Sequence, residues 1–167
     1  MFLTLEGFMK SWEFESQATQ KILNNLTDES LKQEITEENW TLGRIAWHIV
    51  PSIHIMTSRT GLKFEAPTEN WPVPTSAQFI ADSYGQVSAA FLEAIKAQWT
   101  DESLQIESDF FGQKQQNSIF LMTLILHQNH HRGQMTVLMR QAGLPVPGIY
   151  GPSKEEWAPA GMEAPIQ

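Results

Sequence analysis

The chain has 167 residues, 41% of them hydrophobic and 18% charged, which is enough to bury a core without cross-links. It contains no cysteine, which excludes disulfides, thiol nucleophiles and thiolate metal sites. Eleven basic residues stand against nineteen acidic ones, for a net charge of −8, and no basic run is present to neutralise phosphates, so no nucleic acid is expected as a partner. The length fits one domain over residues 1–167. Met1 to Glu6 has no basic leader, and no apolar run is long enough to span a bilayer, so a cytoplasmic chain without membrane contact is expected.

Four segments carry helical patterning. In the first, about Leu5 to Leu26, Phe8, Trp12, Glu15, Thr19, Ile22, Leu23 and Leu26 fall mostly at helical spacing. Thr27-Asp28 reads as a break, with Asp28 positioned to cap a short turn through Leu31. The second helix begins near Asn39 or Thr41 and runs to Arg59, with a stripe of Leu42, Ile45, Ile49, Ile53 and Met56 and a stop at Gly61. Pro51 lies inside it and predicts a kink near Trp47 to Pro51, because proline lacks the donor for the carbonyl four residues back.

Pro67, Pro72 and Pro74 keep residues 62–74 irregular. The third helix runs from Thr75 or Ser76 to about Trp99, with Phe79, Ile80, Tyr84, Val87, Phe91 and Ile95 on its apolar face. In the next connector, Leu104-Gln105-Ile106-Glu107 has weak strand character. The fourth helix spans about Asn117 to Ala142 and is closed by Gly143 and Pro145, and an irregular tail follows over about 143–167. Four amphipathic segments of this length specify an all-α four-helix bundle. The long connection over 62–74 lets the second and third helices run parallel.

The histidines carry the chemistry. His127 and His131 are four apart and therefore share a helix face, the spacing with which a helix presents two imidazoles to one metal ion. A third ligand must come from another element, and His48, mid-helix beside an apolar stripe, is the best placed. His130 is three from His127 and competes with His131 on spacing alone, and His54 points about 120° away from His48 around an ideal helix. Three imidazoles suit zinc, nickel, copper or iron and leave a coordination position open. Against this stands the ordinary alternative of surface and core histidines that hold nothing. Because imidazole must be neutral to bind metal, affinity is expected to fall below about pH 6.

The block His127-Gln-Asn-His-His-Arg-Gly-Gln134, with Leu138 to Pro145 after it, resembles the DinB/YfiT-like family. So do Pro147 to Trp157 and, upstream, Trp40-Thr-Leu-Gly-Arg-Ile-Ala-Trp-His48, so that the resemblance covers the whole chain. It implies an up-down-down-up bundle and a divalent metal, most often zinc or nickel, on His48, His127 and His131. It also implies a homodimer with a small-molecule substrate.

The activity implied is a thiol-dependent S-transferase acting on small electrophiles, with a low-molecular-weight thiol such as bacillithiol or mycothiol as co-substrate. A metal-dependent hydrolase and a non-catalytic metal- or ligand-binding module are the alternatives. No general base stands out. Arg44, Arg132 and Gln134 are candidates for polar support, each with bracing or solvent exposure as its ordinary role. Trp40, Trp47, Trp71 and Trp157 are candidates to line a pocket, although tryptophan is more often core.

Overall fold

A computed structural model describes residues 2–68, 70–110 and 112–165. Four helices dominate: α1 (Leu5–Leu23), α2 (Leu42–Thr57), α3 (Ala77–Gln98) and α4 (Asn117–Gln141). Short 3-10 turns cover Ser30–Lys32, Ser58–Thr60 and Asp101–Gln105, and two antiparallel strands, β1 (Glu107–Phe110) and β2 (Gln113–Gln116), form a hairpin before α4.

Local chemistry sets the helix ends. Thr4 and Thr41 each accept a backbone N–H in the first turn of α1 and α2, and Ser76 does so for α3. Gly61 and Gly143, at φ of 82° and 73°, supply the left-handed residue that ends the helical path after α2 and α4. Asp28 departs from expectation. Its Oδ1 accepts the Ala77 N–H at 2.7 Å and so caps α3, while Thr27 and Ser30 exchange hydrogen bonds to close the short turn.

Helix α2 runs through Pro51 as one element, as expected, while two further expectations change. Phe79, expected on the apolar face of α3, is 46% exposed and lies at the rim against Trp47. Strand pairing begins only at Glu107, because Leu104 and Gln105 belong to a 3-10 turn, and the partner strand is Gln113–Gln116.

Polar ties across the bundle define its wiring. The Leu5 N–H donates to Asp101 at 2.7 Å, and Gln20 Nε2 donates to the Ala81 carbonyl at 3.0 Å, so α1 and α3 are antiparallel. Trp47 meets Phe79, and the Lys63 N–H donates to Gln98 just beyond the other end of α2, so α2 and α3 run parallel. Arg59 pairs with Asp109 near the start of α4, while Ile45 and Leu138 share a groove near its end, so α2 and α4 are antiparallel. The result is the up-down-down-up four-helix bundle. Its centre holds Phe8, Trp12 and Phe91, with ring centroids 5.1–6.2 Å apart and the Trp12 indole N–H on Ser88 Oγ. No described helix is long and apolar enough to cross a membrane.

Candidate metal centre

His48 comes from the middle of α2, and His127 and His131 from successive turns on one face of α4. The antiparallel crossing of the two helices brings all three side chains to one point. His127 Nε2 lies 3.2 Å from His48 Nε2 and 3.2 Å from His131 Nε2, and one ligating nitrogen from each residue lies within 4.8 Å of the others. Gln128, the neighbour of His127, donates to the Ile49 carbonyl at 3.2 Å and ties the two helices together beside the cluster.

The protonation of the cluster follows from its surroundings. Burial, with further contributions from His131, His48 and His130, pushes the His127 pKa down to about 4, so this ring is neutral near pH 7. Burial also lowers the pKa of His131, against the opposing effect of its hydrogen bond to Gln134. That bond, 2.7 Å from His131 Nδ1 to Gln134 Oε1, holds the ring proton on Nδ1 and leaves the Nε2 lone pair facing the other imidazoles. Hydrogen bonding can then satisfy only one of the two 3.2 Å contacts at His127 with a linear bond. A divalent cation would use all three lone pairs. Imidazole nitrogens bound tetrahedrally at zinc distances stand about 3.3 Å apart, which these spacings match. The donor set fits a divalent metal ion.

Trp40 closes one side of the cluster, with its ring centroid 5.1 Å from His48 and 6.4 Å from His131, its plane nearly parallel to that of the latter. Beside it lies a groove of about 520 Å³ lined by Ile35, Glu38, Asn39, Trp40, Ile45, His131, Gln134, Val137 and Leu138. The loop before α2 and the outer face of α4 form its walls. His130 is exposed, although its ring packs against His131. His54 lies away from the cluster against Phe64. Of the tryptophans considered as pocket walls, Trp40 is the one that packs on the cluster's histidines and lines the groove: Trp47 is core, Trp71 is exposed and Trp157 sits half-buried in the C-terminal tail.

Arg132 braces the bundle. Its side chain is 3% exposed and pairs with Glu15 at 2.5 Å, with further donation to the Glu15 carbonyl, Thr19, Asn129 and the Tyr150 hydroxyl. Tyr150 donates in turn to Glu15, which pins the tail across α1 and α4. Bracing is the ordinary role that the sequence leaves open for Arg132, but its partners are not readable there: Glu15 shows only as a carboxylate in the apolar stripe of the first helix, more than 100 residues from Arg132 and Tyr150.

Comparison with known proteins agrees with this architecture. The DinB family profile matches residues 1–165. The chain is a member of the DinB family. It is 70% identical over 165 residues to the uncharacterized Bacillus subtilis protein YrdA, covering 99% of both chains. It also resembles the crystal structure of a DinB-like protein from Bacillus cereus, with a TM-score of 0.88 and 63% identity over 90% of this chain and all of that one. The Bacillus subtilis DinB-like protein YjoA shares the fold at a TM-score of 0.63 and 19% identity, over 82% of this chain and 92% of that one. In this DinB protein the His48, His127 and His131 cluster could hold a metal ion.

Proposed function

We propose that the chain is a divalent-metal protein that transfers a low-molecular-weight thiol to small electrophiles, with the metal on His48, His127 and His131. The observation that carries this reading is the meeting of three imidazole Nε2 atoms beside an open, largely apolar groove. Three protein ligands leave one position for a small molecule, the arrangement of catalytic rather than structural sites. An all-imidazole donor set suits zinc or nickel. A bound ion would favour the thiolate over the thiol, the form that attacks electrophiles.

The chain's own groups do the rest. Gln134 holds the His131 proton on the far side of the ring, and burial keeps His127 neutral. Trp40, Ile35 and Val137 give the groove apolar walls. This reading places the protein in the cytoplasm with a reduced thiol such as bacillithiol, acting as a homodimer. Glu38 favours a second reading, a metal-dependent hydrolase, because a carboxylate in the groove is a candidate general base for activating water.

The test is metal content by mass spectrometry on protein purified without a histidine tag, beside His48→Ala and His127→Ala, followed by thiol consumption with chlorodinitrobenzene. One metal per chain, lost in each variant, with turnover in the wild type alone, is the expected result. Metal without turnover for any cellular thiol would favour the non-catalytic module. No metal after loading with zinc or nickel would end the metalloenzyme reading.

A further inference from the structure

The chain has four arginines, and three of them are paired with carboxylates: Arg59 with Asp109, Arg132 with Glu15 and Arg140 with Glu155. Among the described residues Arg44 has no carboxylate partner. It is also the arginine beside the histidine cluster. It stands four residues before His48 on α2, so the two side chains lie one above the other on one helix face. Its guanidinium carbon sits 4.8 Å from the centroid of the Trp40 ring, the same indole that meets His48 at 5.1 Å and lines the groove. Stacking on an indole holds a guanidinium in place without consuming its in-plane donors.

We propose that Arg44, seated on Trp40, is the anion-recognising residue of this site, and that the molecule taken by the site carries a carboxylate about one helical turn from the atom that reaches the imidazoles. The inference rests on the functional reading above and narrows its substrate class. A planar, half-buried, unpaired guanidinium binds a carboxylate through paired N–H bonds that neither a lysine nor a neutral side chain reproduces. In a chain of net charge −8, it supplies the local positive charge needed to admit an anion to an acidic protein. Glu38 lines the groove beside Trp40 and adds a negative charge there, which disfavours an anion on that side. The carboxylate could belong to the thiol or to the electrophile, and binding measurements separate these sources.

The experiment is calorimetric titration of metal-loaded protein with two matched pairs. Mercaptosuccinate against 2-mercaptoethanol tests the thiol, and benzoate against benzamide tests an unreactive stand-in for the electrophile. In at least one pair the charged member should bind about tenfold or more tighter to the wild type. That preference should vanish in Arg44→Gln, persist in part in Arg44→Lys and increase in Glu38→Gln. The pair that shows it identifies which molecule carries the carboxylate. Circular dichroism and metal content on the same samples should be unchanged in all three variants.

Equal binding of charged and neutral members to metal-loaded wild type, or a preference that survives in Arg44→Gln, would overturn the Arg44 assignment and leave the metal reading intact. Wild type that takes no metal would overturn both. A Trp40 that Arg44 merely braces would show as a lower melting temperature in Arg44→Gln with the charge preference intact.

Discussion

At the scale of single residues, burial lowers the pKa of two of the three imidazoles, His127 and His131. Burial holds His127 neutral down to about pH 4, whereas in the unfolded chain it takes up a proton near 6.5. Between those values the unfolded state binds more protons, so the metal-free fold loses stability as pH falls from about 6.5 towards 4. Thermal denaturation of metal-free protein across that window checks this, and His127→Ala should flatten the slope. The same burial shifts the metal titration. An ordinary histidine predicts loss of affinity below about pH 6, but with His127 and His131 both depressed, half-loss should lie lower, between about 4 and 6. A midpoint at 6.5 or above, measured by competition with a chelator, would contradict the three-histidine site. His130 is a further control. It is exposed, so His130→Ala should keep its metal where His131→Ala loses it.

At the scale of elements, the joint between α1, α4 and the tail rests on a buried ion pair. Arg132 and Glu15 have side chains 3% and 12% exposed, and breaking such a pair leaves a charge buried without its partner. Glu15→Ala should therefore destabilise the protein by about 3 kcal/mol in urea denaturation. The Arg140–Glu155 pair offers the contrast, because it is open to solvent and Glu155→Ala should cost less than about 1 kcal/mol. Comparable losses in the two variants would mean that burial is not what matters at the α1–α4 joint. The cap on α3 has the same long-range character. Asp28 lies 49 residues before the N–H it accepts, so Asp28→Ala should loosen α3 rather than the turn in which it sits, by about 1 kcal/mol.

At the scale of the whole molecule, a metal ion held by the histidine cluster would link binding to folding, because His48 and the His127–His131 pair come from two helices that meet only in the native bundle. An ion that binds only the folded chain at a hundredfold excess over its Kd adds about 2.7 kcal/mol. For a chain of this size that corresponds to roughly 5–10 °C in Tm. Differential scanning calorimetry with and without zinc or nickel should show this rise in the wild type and not in His127→Ala. An equal rise in both would mean that the ion binds elsewhere.

The helices were legible because an apolar stripe at a period of 3.6 residues, bounded by Thr4, Thr41, Ser76, Gly61 and Gly143, is local information. The pairing of His127 with His131 was legible for the same reason, since four residues on one helix is a short-range distance. That His48 meets them follows from how α2 crosses α4. From the residues alone it was a choice among neighbours, and the resemblance narrowed it. Phe79 at the rim, Asp28 on α3, Glu15 under Arg132 and Arg44 on Trp40 were decided only by the tertiary structure. Each depends on which surface of one element meets another, and a periodic pattern shows that a face is buried without naming what covers it.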